Sequence, residues 1–313
     1  MTADSADSPD PRDSADSADS PDANSPDADD PVVADLHVHT TVSDGTLTLD
    51  EVPDVAREAG VDWVAITDHD RIHPGLDAPV VERDGIRMVR GIELRVDAGF
   101  ERLDLLGYGV EHTDALAAEI DRLQRDRRER GAAILDAVEE RLGVDLDVEP
   151  REGLGRPHIA RAIDESEAPY DYAGAFDELI GNDGPCYVAR EVTPLDDGLD
   201  LLADACALVG LAHPFRYERV DEALDVARES AAIGAIECFY PYGRAVDDAR
   251  IDRVAAEADL LRTGGTDAHE RTLGVAGLTE SAFEPVRERL PEPVPVTELP
   301  AGDSTAAAPD EQD

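Results

Sequence analysis

Asp35-Leu36-His37-Val38-His39-Thr40, followed by Asp44-Gly45, sets two imidazoles one residue apart at the end of the apolar run Val32-Val33-Ala34. Side chains of an extended segment alternate faces with period two, so His37 and His39 leave on the same side and can grip one metal ion. The arrangement recurs. Ile66-Thr67-Asp68-His69-Asp70, Gly91-Ile92-Glu93, Leu211-Ala212-His213-Pro214 and Gly265-Thr266-Asp267-Ala268-His269 each place a His, Asp or Glu at the carboxyl end of a short apolar run. One such group is an ordinary strand end, whereas five in register describe a pocket. Mixed imidazole and carboxylate donors suit Mn, Fe or Zn better than Ca, which prefers oxygen alone.

The elements that must carry these groups follow from patterning. Apolar runs near 32–38, 61–67, 86–94, 102–110, 207–212, 233–239 and 259–263 read as buried strands. Helical patterns lie between most of them: Glu51 to Ala59 with Gly60 as C-cap, Ala78 to Glu82, Leu195 to Ala207, Val220 to Ala232 and Ala245 to Ala258. Strands alternating with helices predict a parallel sheet covered on its outside. Seven strands with donors at their carboxyl ends predict an α/β fold, a distorted seven-stranded (β/α) barrel open at that face, with an open doubly wound sheet as the alternative. The alternation breaks twice. Val96 to Phe100 is too short for a crossover helix, so 86–94 and 102–110 should pair as a hairpin. Residues 113–192, with helical patterns at Leu116 to Leu142 and Ile159 to Ala162, read as a helical insertion capping the open end. The expected organisation is an acidic disordered tail over 1–31, a barrel over 32–112 and 193–290, the 113–192 cap, and a second tail over 291–313 in which Val294-Pro295-Val296 offers a short edge segment.

Composition narrows the classes. Of 313 residues, 73 are acidic and 28 basic, for a net charge of −45, and every basic residue is Arg. Residues 1–31 hold ten Asp against one Arg and almost nothing apolar, too little to offset the entropy of folding. Such acidity argues against polyanion partners. A Lys-free, Asp-rich surface also resembles proteins of halophiles, in whose molar salt the Debye length is about 3 Å and that argument weakens. Cys186, Cys206 and Cys238 show no CxxC spacing, which fits a reduced cytoplasm. No apolar run reaches the roughly 18 residues of a membrane span, and no secretory pattern opens the chain, so a cytoplasmic, unanchored protein is expected. No GxxxxGK[ST], GxGxxG or GxSxG motif is present, and Cys238, between Glu237 and Phe239, reads as a buried strand thiol rather than a nucleophile.

In this order, over about 32–114 and 207–277, the motifs resemble the PHP (polymerase and histidinol phosphatase) family of metal-dependent phosphoesterases. They look most like the branch of 3′,5′-nucleoside bisphosphate phosphatases and 5′–3′ exoribonucleases. The resemblance implies a distorted seven-stranded barrel with two or three divalent ions, usually Mn, Fe or Zn, with Mn favoured here. By motif, His37 and His39 would bind one ion with Asp267, and Glu93 would bridge to a second. Asp44 and His69 would build a third position joined by His213, with His269 completing the cluster. In one departure, Asp104 in Asp104-Leu105-Leu106-Gly107-Tyr108 stands where this branch typically has a His; as a carboxylate it remains a candidate ligand that favours harder ions.

The implied chemistry is phosphoester hydrolysis by metal-activated water. Arg216 and Arg156 are the candidate phosphate donors, because a guanidinium fork matches two phosphate oxygens. His158 is the candidate leaving-group acid or substrate ligand. Asp68 is expected to orient a ligand, Glu237 to be structural, and His73 and His112 to have no role. The expected substrate is a small phosphorylated molecule, a nucleotide first; short RNA or DNA trimmed from the 5′ end and a non-catalytic metal-stabilised module are the alternatives. The sequence leaves the oligomeric state open.

Overall fold

The computed structural model describes residues 30–151 and 154–296. Most of the two expected tails, 1–29 and 297–313, lies outside the described residues. The first element is β1 (Ala34–Val38), buried along its whole length, followed by α1 (Val52–Ala59). Pro53 starts α1, and Gly60 closes it at φ +76°, the left-handed turn a C-cap glycine takes without a Cβ clash. Next come β2 (Trp63–Ile66), β3 (Val80–Arg83), β4 (Ile86–Asp97) and β5 (Arg102–Tyr108). The helix expected at Ala78 to Glu82 is therefore wrong. Val80 and Val81 are β-branched, and they pair with Val89 and Met88 on the outer edge of β4.

The chain then turns helical, with α2 (Asp114–Leu142), α3 (Arg156–Glu165) and α4 (Tyr172–Ala175), the last running into a π-helical turn over Phe176–Ile180. Thr113 caps α2 by accepting from Leu116 N. After β6 (Thr193–Pro194) the alternation resumes with α5 (Leu195–Ala205), β7 (Leu208–Leu211), α6 (Val220–Glu229), β8 (Ala235–Phe239), α7 (Asp248–Ala258) and β9 (Leu261–Gly264). α8 (Glu280–Arg287) and β10 (Val294–Pro295) complete the order, and β10 is the expected edge segment, paired with β3.

Seven strands follow the path β1-β2-β4-β5-β7-β8-β9. The barrel nearly closes: His39 N donates to Ala268 O at 2.9 Å and Ala268 N to His37 O at 3.2 Å, joining the ends of the first and last strands. The distortion sits where the hairpin was expected. β5 runs antiparallel to both β4 and β7, while the other pairs on the path are parallel. Three apolar cores result. The largest joins β4, β5 and β7–β9 to α5–α8, a second packs α1 against β1–β3, and a third lies wholly within 134–186.

Candidate metal centre

The nine side chains singled out as ligands converge on one pocket at the end of the barrel. His37 and His39 leave the same side of β1, as alternation requires, and the chain behind them is crowded: a Cβ on Gly265 would lie 2.4 Å from His37 N. Only glycine lets the end of β9 approach β1 this closely. Glu93 is the hub. Its Oε2 lies 3.4 Å from His37 Nε2, 3.3 Å from His39 Nε2 and 2.8 Å from His69 Nδ1, and its Oε1 lies 3.0 Å from His213 Nε2. Asp267 Oδ1 stands 3.1 Å from His39 Nε2 and 3.5 Å from His37 Nε2. Asp44 faces His269 at 3.3 Å and His69 at 3.8 Å.

These separations fit cations. Donors bonded at about 2.1 Å to one ion stand about 3.0–3.4 Å apart at tetrahedral or octahedral angles. His37 Nε2, both ring nitrogens of His39, Asp44 Oδ1 and Glu93 Oε2 are buried without a hydrogen-bond partner among the described residues. Buried polar atoms are normally satisfied, so a convergent set of this chemistry fits the donors of a divalent cation.

The grouping differs from expectation at one residue. His213 does not join Asp44 and His69; it sits with Glu93 and Asp104, 3.8 Å from Asp104 Oδ2, while His39, Asp44, His69 and His269 form their own group. The reversed direction of β5 explains this, because Asp104 comes from the start of a strand whose neighbour β7 leads, two residues past its end at Leu211, to His213. Asp104 also has another partner: Arg95 Nε and Nη2 hold Oδ1 and Oδ2, each at 2.7 Å.

Electrostatics follow from burial and crowding. Burial opposes charge on His37, but the carboxylates of Asp267, Glu237 and Glu93 outweigh it and hold the ring well above its usual pKa. Burial, joined by the His269 and His69 rings, pushes His39 down to about 4. Glu93 is held well below the usual carboxylate range, as the surrounding His69 and His37 overcome its burial.

Supporting groups orient the donors. Glu237, read from the sequence as structural, is wholly buried; it takes His37 Nδ1 on Oε1 at 3.1 Å and accepts His213 N on Oε2 at 2.7 Å. A lone acid in the middle of the otherwise apolar β8 was the available signal. Asp35 was missed: it accepts from Thr266 N and Gly274 N, each at 2.9 Å, pinning the loop that carries Asp267. Asp68, expected to orient a ligand, accepts from Thr40 N, Thr40 Oγ1 and Ser43 Oγ and so shapes the loop leading to Asp44. Asp70, His213 and Asp267 all have positive φ, at 49°, 25° and 55°.

The three proposed substrate-handling residues separate. Arg216 lies at the pocket, donating through Nη1 to Tyr240 Oη and Asp267 Oδ2, both at 3.2 Å. Arg156 is turned into the fold instead: it donates to Ile180 O and Asn182 Oδ1 and lies over the Phe176 and Tyr187 rings. His158 Nδ1 accepts from Gly155 N at 3.2 Å, so its ring proton is on Nε2. Burial and the Arg151 charge push His158 down to about 4 against the pull of Asp44, leaving a neutral ring that donates a hydrogen bond but is no acid at neutral pH.

Comparison with known proteins agrees with this geometry. Residues 35–176 match the PHP domain. The chain is 32% identical to the phosphoribosyl 1,2-cyclic phosphate 1,2-diphosphodiesterase of Eggerthella lenta, over 76% of this chain and 94% of that protein. It is 32% identical to the 3′,5′-nucleoside bisphosphate phosphatase of Chromobacterium violaceum, over 59% of this chain and 67% of that protein. A solved structure of a Bifidobacterium adolescentis protein described as a metal-dependent phosphoesterase shares the fold, with a TM-score of 0.70 at 21% identity, covering 84% of this chain and 98% of that one.

Proposed function

Because this chain belongs to the PHP domain family, we propose that its pocket holds two divalent ions, Mn first, and hydrolyses a phosphoester of a small ribose derivative carrying two phosphoryl groups. The chain is a phosphoesterase, a hydrolase of this family. The observation that carries the reading is the set of buried, convergent donor atoms on His37, His39, Asp44 and Glu93 that have no hydrogen-bond partner among the described residues. One position is supported by His37, His39 and Asp267, a second by Asp44, His69 and His269, with Glu93 facing both. Asp104 is committed to Arg95, which favours two ions over three. Bound ions would neutralise phosphoryl charge and lower the pKa of a water.

The protein's own groups supply orientation. Asp267 is held by Tyr240 and Arg216 on Oδ2, so that Oδ1 faces the imidazoles. Arg216, beside Asp267 at the pocket, is the guanidinium that would face a phosphoryl oxygen, and the neutral His158 would offer an Nε2 proton to the ester. The two relatives act on ribose derivatives with two phosphoryl groups, which supports the substrate class. Among the described residues no helix is long and apolar enough to cross a membrane. The acidic, Lys-free composition supports a cytoplasmic home with high salt.

The test is a substrate panel with Mn in molar KCl, read by phosphate release for 3′-phosphoadenosine 5′-phosphate, histidinol phosphate and simple sugar phosphates, and by chromatography of the ring-opened or shortened product for phosphoribosyl 1,2-cyclic phosphate and a 5′-phosphorylated oligonucleotide. Preferential turnover of the doubly phosphorylated riboses is expected. Mononucleotide ladders from the oligonucleotide as the only product would favour 5′ trimming, and silence across the panel would remove the enzymatic reading.

A further inference from the structure

Residues 113–192 meet the rest of the fold through two kinds of contact. Near its start α2 buries Leu116 and Leu123 in the main core, and near its end Ile134, Leu135 and Val138 join Ile159, Ala160 and Ile163 in the separate third core. Between them the buried positions of α2 turn polar: Gln124, Arg127 and Arg130. Such groups need partners when buried. Arg130 Nε donates to Val188 O at 2.7 Å, but the other two converge on one residue of the barrel. Gln124 Nε2 donates to Asp70 O at 2.9 Å, and Arg127 Nε to Asp70 Oδ2 at 3.2 Å. Arg190, on the segment leading back to the barrel, also donates to Asp70 Oδ2.

Asp70 is equally engaged on the barrel side. It directly follows His69, its N–H donates to Glu93 O at 2.9 Å, and its Oδ1 accepts from Arg95 N at 3.1 Å. It is fully buried and left-handed, at φ 49°. One residue therefore receives the outgoing and returning limbs of 113–192 while meeting β4 at Glu93 through its N–H and at Arg95 through its carboxylate.

We propose that Asp70 is a positioning residue whose carboxylate latches residues 113–192 over the metal pocket, fixing the cap relative to His69 and Glu93 by charge where apolar packing is missing. Removing that charge takes from Arg127 and Arg190 the carboxylate they share at the seam. The cap then loosens while the barrel keeps its own core. The kinetic arm below rests on the phosphoesterase reading; the exchange arm does not.

Asp70→Asn is the appropriate probe, because Asn keeps the shape and tolerates a left-handed backbone. Amide hydrogen exchange, metal content and steady-state kinetics are compared for the Mn-loaded wild type and variant. Exchange over 120–133 and 186–192 should rise about tenfold or more, with β1, β2 and β4 unchanged. Metal content should stay equal, and KM should rise about tenfold with kcat within about threefold. Unchanged exchange in 120–133, or exchange and metal loss centred on the barrel loops, overturns the proposal. If no ester is turned over, the exchange result alone decides the latch. If Asp70→Asn does not fold, Arg190→Met is measured in the same way, with the same pattern expected and the same pattern refuting it.

Discussion

Replacing Glu237 with Gln tests whether the donors are organised for a cation. Glu237 accepts twice, from His213 N at 2.7 Å and from His37 Nδ1 at 3.1 Å. With His37 Nε2 directed at Glu93 and Asp267, the ring proton belongs on Nδ1, so both groups facing Glu237 are donors. A glutamine has one acceptor and one amide donor at its tip, and in either orientation one buried donor meets another. An unsatisfied buried donor costs about 1–3 kcal/mol, equivalent to about five- to 150-fold in affinity. The independent expectation for losing a carboxylate behind a ligating imidazole is about ten- to a hundredfold. Competition against a chromogenic chelator at neutral pH reads the Mn affinity, and calorimetry of the metal-free proteins measures fold stability separately. Affinity within about twofold of wild type, whatever the melting temperature does, would show that His37 is not held for metal.

Three further outcomes are expected. The folded pKa values of His37 and His69 lie above 6.5, so in the metal-free protein their stabilisation is full below pH 6.5 and is lost as pH rises through the raised values, whereas metal needs the neutral rings. Melting temperatures with and without Mn should therefore diverge as pH climbs past 6.5, and a gap that narrows by calorimetry contradicts this. Arg95→Gln frees Asp104 from its two 2.7 Å bonds, so elemental analysis should show stoichiometry moving towards three ions per chain; an unchanged count means Arg95 does not limit that position. Gly265→Ala puts a methyl 2.4 Å from His37 N and should cost about 1–3 kcal/mol with weakened metal binding, and a variant as stable and as tightly loaded as wild type would refute the close-approach reading.

The barrel and the convergence of most candidate donors were readable because those groups sit where a short apolar run stops, a pattern local enough to survive in sequence alone; Asp44, in the loop after β1, and Asp104, near the start of β5, do not. What local pattern could not carry was pairing across the chain. His213 was assigned to the wrong partners because the sequence does not show that β5 reverses and brings Asp104 beside β7. Glu237 looked structural because its neighbours Cys238 and Phe239 are apolar, yet strand alternation turns it to the same side as the donors. Arg127 and Arg190 lie in charged surroundings, and their common target is 57 and 120 residues away. Arg156 shows the opposite limit: its motif pointed to the pocket, while in the fold its guanidinium lies over the Phe176 and Tyr187 rings. At Ala78 to Glu82, two valines should have outweighed the spacing that suggested a helix.

Three residues beside the cations' places, Asp70, His213 and Asp267, bend the backbone in a sense that mirror-symmetric glycine accepts freely and larger residues resist, by about 1–2 kcal/mol each. A lineage bred for heat endurance alone would drift to glycine there and lose its donors. Retaining bulky polar groups at such corners sets a ceiling on how rugged the empty polypeptide can become, and makes loaded ions part of what keeps it upright.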